Sequence, residues 1–408
     1  MQMDYDILII GGGLVGASLA CALRESALRI GVIEAVPLAA SAQPSYDDRT
    51  LALAWGSKQI FESMGCWQGI ASEATPIERI HISDRGRFGV TRLAASEAGL
   101  PALGYVVANR ALGAALLKTM QAAKNIDWLC PAEMREINIE SGVATVSIAG
   151  VPSPLTGEGQ DGGGRDRVPA FSHPHPNPPP SRGRESESHA RNSMNKTLTA
   201  RLIIAADGAH SAVRAALGIE AERTEYCQSA IVTTVTAGEP HGNTAYERFT
   251  DTGPLALLPL SGNRCAVVWS AKEAEVQTIL GWSDAEFLAH LQDRFGNRLG
   301  TFTRLGKRTA YPLVLTNVKE QVRERLALIG NAAHTVHPVA GQGFNLGLRD
   351  VAVMAEILTD ALRRGEDIGG LTALRRYADW RVRDNRVTAG FTNGLIRIFS
   401  TNAFPLPF

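Results

Sequence analysis

Hydrophobic positions near the start of the chain follow the pattern of a parallel α/β sheet. Residues 6–10 are almost continuously apolar, as expected of a strand that is buried on both faces, and 28–34 form a second such run. The small residues between them predict a helix, so the order is strand, turn, helix, strand. Apolar residues at helical spacing predict further helices over 51–64 and 110–123.

The middle of the chain has a different pattern. Strand-length apolar runs between residues 225 and 270 are separated by Gly, Asn and Pro turns, which predicts a meandering, largely antiparallel sheet. Ser283 and Glu286 then have the spacing of a capping box, which predicts the start of a helix. The α/β pattern returns with a buried strand over 326–330, a glycine-rich turn and a helix around 348–362.

Residues 151–195 interrupt this organisation. The segment is rich in Gly and Pro, and a composition of this kind does not support a packed core. The runs over 143–148 and 197–205 flank it like two paired strands. We interpret the segment as a disordered insert at a hairpin tip, because loop-closure entropy grows slowly with length. A polyproline ligand for a partner is the alternative.

Composition and charge narrow the function classes. The 408 residues carry 41 basic and 41 acidic side chains, and this balance argues against nucleic acid as the main partner. No window approaches the roughly 20 apolar residues of a membrane span, and the N-terminus lacks the basic region of a signal peptide, so we expect a cytoplasmic protein. The five cysteines are scattered without a C-x-x-C pair, so no metal site is expected.

A glycine motif joins the first predicted strand to the first helix. In this G-x-G-x-x-G pattern Gly11 permits a tight turn, Gly13 lets the backbone approach a pyrophosphate and Gly16 lets the helix pack closely. The helix N-terminus would bind the diphosphate with its free amides. Glu34, at the end of the second strand, can accept hydrogen bonds from a ribose. The sequence therefore predicts a dinucleotide site, whose residues are Gly11, Gly13, Leu14, Val15, Gly16 and Glu34.

Two later motifs extend this site. A D-G-x-x-S-x-x-R pattern begins at Asp207, and residues 330–347 form a glycine-rich motif after another strand. With these motifs the sequence resembles the FAD-dependent aromatic hydroxylases, or class A flavoprotein monooxygenases. Within them it is similar to the ubiquinone-biosynthesis hydroxylases, above all to the 2-octaprenyl-6-methoxyphenol hydroxylases. The resemblance covers nearly the whole chain outside 151–195 and is also carried by residues 46–53, 81–86, 246–250, 253–259 and 306–312.

The resemblance implies the fold. It implies an α/β protein with a discontinuous, Rossmann-like FAD-binding domain and an antiparallel β-sheet substrate domain, like para-hydroxybenzoate hydroxylase. The FAD-binding domain would comprise residues 1–74, 109–150, 196–224 and 311–372, and the substrate domain 75–108 and 225–310. Residues 373–408 would form a C-terminal helical segment, which is shorter than in relatives.

The resemblance also assigns roles to single residues. The glycine motif and Glu34 would hold the ADP half of FAD, with Arg49 at the phosphate–ribose region and Arg110 as a helper. Asp207 and Gly208 would lie by the diphosphate, where Asp207 helps to organise transient NAD(P)H binding. Asn331, where the family usually has Asp, would reach the ribityl chain. Residues beside the isoalloxazine would be Gly341, Gly343, Phe344 and Asn345, and the catalytic candidates are Pro338 and His337.

The implied reaction is hydroxylation of the phenolic ring of a polyprenylphenol intermediate in ubiquinone biosynthesis. It would use O2 and NAD(P)H and proceed through a flavin C4a-hydroperoxide, so that the flavin supplies most of the chemistry. An FAD-dependent oxidase or dehydrogenase of a small molecule is the first alternative. A catalytically impaired flavoprotein subunit of a quinone-synthesis assembly is the second, because of Asn331, the insert and the short C-terminus. Contact with other quinone-biosynthesis proteins is left open.

The last part of the chain is basic. Residues 374–400 contain six arginines and two aspartates. A solvated helix face explains this composition, and peripheral contact with the anionic inner face of the cell membrane is the alternative. The polyprenyl character of the implied substrate favours the second interpretation.

Overall fold

The structure is a computed structural model that describes residues 3–37, 49–86, 89–140, 142–150, 196–335, 342–382 and 384. Its strands are β1 (Tyr5–Ile10), β2 (Ile30–Ile33), β3 (Thr50–Ala54), β4 (Thr75–Ile77), β5 (Arg79–Asp84), β6 (Val90–Ala94), β7 (Gly104–Ala108), β8 (Ile126–Leu129), β9 (Ala132–Glu140), β10 (Val143–Gly150), β11 (Lys196–Ala205), β12 (Ala221–Thr236), β13 (Thr244–Thr250), β14 (Gly253–Pro259), β15 (Arg264–Lys272), β16 (Thr303–Leu305), β17 (Thr309–Val318), β18 (Val322–Arg323), β19 (Leu326–Leu328) and β20 (His334–Thr335). Its helices are α1 (Leu14–Ala22), α2 (Trp55–Ser63), α3 (Trp67–Ile70), α4 (Asn109–Ala122), α5 (Ala212–Ala216), α6 (Glu273–Gly281), α7 (Asp284–Phe295), α8 (Gln342–Arg363) and α9 (residues 371–382).

The first sheet has a parallel core. Its order is β18-β19-β11-β1-β2-β8, with β10 beside β11 and β9 beside β10. β1 pairs in parallel with β2 and β11, and β11 with β19. Ile7 and Ile9 pack toward α1, α4 and α8, whereas Leu8 packs on the opposite side, and all three are completely buried. The strand is apolar throughout because both of its faces are covered, and the predicted α/β class is confirmed.

The second sheet is mainly antiparallel. Its order is β20-β17-β12-β15-β14-β13-β5-β6, with β16 beside β12, and β5 runs parallel to β13. One face packs against α6 and α7 through a core that includes Trp269, Phe287 and Leu291. The helix α7 begins with the predicted capping box between Ser283 and Glu286. The meander expected between residues 225 and 270 is therefore confirmed.

A third sheet, ordered β3-β7-β4, packs against the second. The contact is an apolar cluster of Ile77, Val106 and Ala245, with Ala52 and Leu258 at its edge. The helix predicted over residues 51–64 is wrong in its first part, because 50–54 form the strand β3. Leu51 and Leu53 pair with β7, and this tertiary pairing overrides the local helical spacing.

The strands that flank the predicted insert form the expected hairpin. β10 and β11 are antiparallel, and Ile148 pairs with Lys196. The insert itself, residues 151–195, lies outside the described residues, as does most of the basic C-terminal stretch. The predicted domain boundaries stay a prediction. Across the described parts of the chain, no helix combines the length and hydropathy needed to cross a membrane.

Replacement of residues 151–195 by a Ser-Asn-Gly-Ser loop should leave the fold intact, because Ile148 and Lys196 already pair. The loop that this pair closes becomes roughly eightfold shorter, and each halving contributes about 0.6 kcal/mol, so the free energy of unfolding should rise by up to about 2 kcal/mol. Urea unfolding measures this change. A scrambled 151–195 segment is the control and should match the wild type. A less stable deletion variant would show that the segment contributes to the core.

Candidate functional site

At the glycine motif, the backbones of β1, α1 and the segment that follows β11 come into direct contact. Gly11 has a φ of +101°, and a Cβ atom there would lie 2.5 Å from the carbonyl oxygen of Ala206. A Cβ atom on Gly16 would lie 2.0 Å from the carbonyl oxygen of Gly11. Both positions therefore require glycine, as the sequence pattern predicts.

The N-terminus of α1 can bind an anion. The helix begins after Gly13, none of the side chains in the described part of the chain caps it, and its first turn contains no acidic residue. The first N–H groups of a helix have no partner within the helix, and they carry the positive end of its dipole. The side chain of Val15 lies against Gly330 and Gly347, at 3.0–3.1 Å from the Cβ position of each. The start of α1 therefore packs against α8 and against the turn that begins at Gly330, directly after β19.

Glu34 lies beside this turn, as predicted, and is 9% exposed. Its Oε2 accepts a hydrogen bond from the amide of Gly12 at 2.8 Å, and Oε1 accepts one from the amide of Val36 at 2.8 Å. Each carboxylate oxygen can accept a second hydrogen bond, which a ribose hydroxyl could donate. The ring of Trp128 lies against Gly12, where a Cβ atom would be 2.3 Å away. Sequence analysis missed Trp128, because only strand pairing brings it here.

One carboxylate oxygen of Asp207 has no partner among the residues that the structure describes. Oδ2 accepts a hydrogen bond from the amide of Val213 at 3.1 Å. Oδ1 is buried, and none of the residues described in the structure donates a hydrogen bond to it. Gly208 follows with a φ of +85°. A buried acceptor of this kind is costly unless a ligand or water supplies the donor.

Arg214, the last residue of the same motif, joins two loops. It donates to the carbonyl oxygen of Ala332 at 2.9 Å and to that of Ala209 at 2.7 Å. Ser211 caps α5 by accepting a hydrogen bond from the amide of Arg214. The motif therefore fixes the loop after β11 against the turn after β19.

The turn after β19 is held by a buried carboxylate that sequence analysis missed. Asp350 is completely buried, and its Oδ2 accepts hydrogen bonds from the amide of Gly330 at 2.8 Å and from Nε2 of His334 at 2.7 Å. Its Oδ1 accepts one from Nε of Arg381 at 2.6 Å. Burial alone would raise the pKa of Asp350, but these three partners outweigh it and lower the pKa. The sequence does contain a signal for this residue: Asp350 follows Leu346 by four positions in α8, so its carboxylate lies on the apolar face of the helix.

Arg381 corrects the sequence-based view of the basic C-terminal stretch. Its side chain is 1% exposed and donates to Asp350, so it does not belong to a solvated helix face. Arg376 forms an ion pair with Glu366. The positive charge available at the surface of α9 is therefore smaller than the residue count indicates.

The first turn of α8 carries three of the predicted flavin-lining residues. The side chain of Asn345 accepts hydrogen bonds at Oδ1 from the amide of Ala54 at 2.8 Å and from Ser57 Oγ at 2.6 Å. Its Nδ2 donates to the carbonyl oxygen of Ala52 at 2.8 Å. The Asn345 side chain thus fastens α8 to β3 and α2. Gly343 is half-buried, and the ring of Phe344 lies 6.3 Å from that of Phe61.

The remaining residues that are predicted to bind FAD lie on separate elements. The guanidinium of Arg49 lies over the ring of Tyr311, 4.9 Å from its centroid, at the border of the second sheet. Arg110, at the start of α4, forms an ion pair with Glu73 at 2.7 Å and is half exposed. The Asn331 side chain is exposed. His337, Pro338 and Gly341 lie outside the described residues.

These features fit FAD. The helix N-terminus suits a diphosphate, Glu34 suits a ribose, and the unpaired Oδ1 of Asp207 suits a donor from the ligand. All three lie at the carboxyl ends of neighbouring parallel strands, where ligands bind in open α/β sheets. The roles of the individual residues stay predictions.

Asp350→Asn should lower the free energy of unfolding by about 3 kcal/mol, because the buried Arg381 then keeps only the partly exposed Asp384 as its counter-charge. In the folded protein the pKa of Asp350 lies below its ordinary value of 3.8. The stabilisation that the Asp350 carboxylate provides is therefore complete above pH 3.8, and it is lost as the pH falls through the pKa of the folded state. Urea unfolding at pH 7 and at acidic pH measures both effects.

Asp360→Asn on the same helix is the matched control. Asp360 forms a more exposed pair with Arg363, so its replacement should change stability by less than about 1 kcal/mol. Equal stability of wild type and Asp350→Asn would contradict the importance of the network.

Comparisons with known proteins support FAD as the cofactor of this chain. The FAD binding domain family matches residues 4–129 and 182–381. Ubiquinone hydroxylase UbiL of Rhodospirillum rubrum is 36% identical over 98% of this chain and 83% of its own length. The 3-demethoxyubiquinol 3-hydroxylase of Escherichia coli is 29% identical over 99% and 92%, respectively.

Solved structures support the fold. The probable FAD-dependent monooxygenase pqsL of Pseudomonas aeruginosa has a TM-score of 0.73 at 19% identity, covering 97% of this chain and 96% of that one. The para-hydroxybenzoate-hydroxylase-like fold, FAD as cofactor and the resemblance to ubiquinone-biosynthesis hydroxylases are thus confirmed, whereas the particular member stays a prediction. The chain belongs to the FAD binding domain family.

Proposed function

We propose that this protein is an FAD-dependent monooxygenase that hydroxylates the phenolic ring of a polyprenylphenol intermediate in ubiquinone biosynthesis. It uses O2 and NAD(P)H. The observation that carries the proposal is the convergence of three motifs at the ends of β1, β11 and β19, which are neighbouring parallel strands. The relatives named ubiquinone hydroxylases support the choice of substrate class.

The cofactor would be held by residues from all three motifs. The amides of Gly13, Leu14 and Val15 bind the diphosphate, and Glu34 binds the adenosine ribose. Asp207 would accept a hydrogen bond from a polar group of the flavin half, and the first turn of α8 would contribute residues beside the ring. Bound FAD supplies the chemistry that the side chains lack, which is acceptance of a hydride from NAD(P)H and activation of O2. The sequence has one complete dinucleotide fingerprint, which suits tightly held FAD and a nicotinamide that binds transiently.

The chain itself must bind the ring and exclude water. The sheet face that packs against the β3-β7-β4 sheet has apolar side chains such as Val232, Val268 and Leu258, which suit a prenylated ring. Exclusion of water favours oxygen transfer over loss of the activated oxygen. This face therefore forms one wall of the proposed substrate pocket.

A prenylated substrate is found in the membrane, and the protein must reach it. We propose peripheral contact through α9, where the side chain of Trp380 is 48% exposed. Exposed aromatic and aliphatic residues on a helix bind at the lipid interface. Trp380→Ala should weaken co-sedimentation with vesicles that contain anionic lipid. Unchanged co-sedimentation would contradict this contact.

The proposed function predicts that a prenylphenol stimulates oxygen use. Purified, FAD-loaded protein should consume NAD(P)H and O2 faster with 2-farnesylphenol than without it, and should form a hydroxylated product. Oxygen electrode traces and mass spectrometry of the product measure this. Consumption of NAD(P)H and O2 without a hydroxylated product from any polyprenylphenol would contradict the proposal and would favour an oxidase.

The Asn331→Asp variant distinguishes a competent hydroxylase from the alternative, a catalytically impaired flavoprotein subunit. If the wild type is a competent enzyme, this variant should change turnover less than about threefold, because either side chain can hydrogen-bond a ribityl hydroxyl. Activity that appears only in the variant would support the impaired-subunit alternative.

A further inference from the structure

A row of half-buried side chains crosses the second sheet on the face that turns away from α6 and α7. Strand pairing connects Glu247 on β13 to Ile82 on β5 and to Ala256 on β14, and the row continues through β15 to β12 and β17. All its members are partly exposed. We call it the Glu247 row, and it consists of Ile82, Glu247, Ala256, Val268, Val232 and Thr309.

The orientation of the row follows from the residues next to it. Tyr246 points the other way, and its ring lies 5.5 Å from that of Phe295 on α7. Ala245, on the same face as Glu247, packs against Val106 of the third sheet, with Ala52 at the edge of this cluster. Successive side chains of a strand alternate between faces, so Glu247 lies on the side of the third sheet.

The same face is connected to the predicted flavin-lining segment. Ala52 lies at the edge of the cluster around Ala245, and its carbonyl oxygen accepts a hydrogen bond from Asn345 at 2.8 Å. Farther along the face, Tyr311 lies under the guanidinium of Arg49. Both contacts join this sheet face to residues predicted to bind FAD. A substrate on the Glu247 row would therefore lie near the predicted cofactor.

Glu247 is the one ionisable member of this row. Its carboxylate has no hydrogen-bond or ion-pair partner in the described part of the chain, and burial raises its pKa to about 7. On this face the neighbouring strand β5 carries Asp84, and farther across the sheet β15 carries Arg264 and Lys272 at its ends and β17 carries Tyr311, with Arg49 above it. A carboxylate without a partner among apolar side chains is costly for folding, and such groups are concentrated at functional sites.

We propose that Glu247 is a catalytic base that accepts the proton of the substrate's phenol hydroxyl. The O–H bond breaks, its electron pair stays on the phenol oxygen, and the proton binds a carboxylate oxygen of Glu247. The resulting phenolate makes the ring richer in electrons and more reactive toward oxygen transfer. The proton passes to solvent after product release, and no oxidation state changes in this step. This inference rests on the proposed function.

Glu247→Gln tests the base while keeping the shape of the side chain. With FAD-loaded enzyme and 2-farnesylphenol, kcat should fall about 100-fold, the usual contribution of a general base. The wild-type kcat/KM should rise with pH through a value near 7, because the base must be ionised, and the variant should lose this rise. A ring-fluorinated 2-farnesylphenol, which ionises more readily, should restore most of the lost kcat.

A control variant and two further measurements distinguish a catalytic role of Glu247 from a structural one. Glu225→Gln makes the same change at an exposed position of β12 and should keep wild-type kinetics. Bound 2-farnesylphenol should show the absorbance of a phenolate above pH 7 in the wild type, and of a neutral phenol in Glu247→Gln. Urea unfolding of Glu247→Gln should show equal or greater stability, because the variant buries no charge.

The outcomes distinguish this inference from the function on which it rests. If the wild type hydroxylates no prenylphenol, the proposed function fails. If the wild type is active and Glu247→Gln keeps its kcat, its pH profile and the phenolate spectrum, Glu247 is not the base. An equal loss of kcat with the parent and the fluorinated phenol would also overturn the proposal.

Discussion

The carboxylate of Asp350 determines where the turn after β19 lies, and the predicted flavin site depends on that turn. It binds the amide of Gly330, the ring of His334 and the guanidinium of Arg381, which belong to three separate elements. A fully buried charge must keep its partners, so none of these elements can move alone without a large cost. Val15 packs on Gly330, which extends the same constraint to the N-terminus of α1.

This constraint also connects the two large sheets. The strand β20 begins at His334 and pairs with β17 at the edge of the second sheet. The residues that follow β19 therefore belong both to the predicted cofactor site and to the sheet that carries the Glu247 row. The two faces of the sheet have different roles: one packs against α6 and α7 in a mainly apolar core, and the other stays partly exposed. A stable fold and a ligand-binding surface are thus obtained from one sheet.

The sequence reveals local features well, because their causes lie within a few residues. The glycine motif, the capping box at Ser283 and the meander of the second sheet are of this kind. The strand β3 was predicted as helix because its pairing with β7 is not visible in a local pattern. Arg381 and Asp350 are 31 residues apart, and nothing in their spacing shows that they meet. Alternation along β13 shows that Tyr246 and Glu247 face opposite ways, but only the packing of Ala245 shows which face meets the third sheet.

The most direct test of the account is the origin of the oxygen atom in the product. FAD-loaded protein is incubated with NAD(P)H and 2-farnesylphenol under ¹⁸O2, and the product is analysed by mass spectrometry. The account predicts one ¹⁸O atom on the ring of each hydroxylated molecule. Formation of hydrogen peroxide with an unlabelled or unchanged phenol would contradict it.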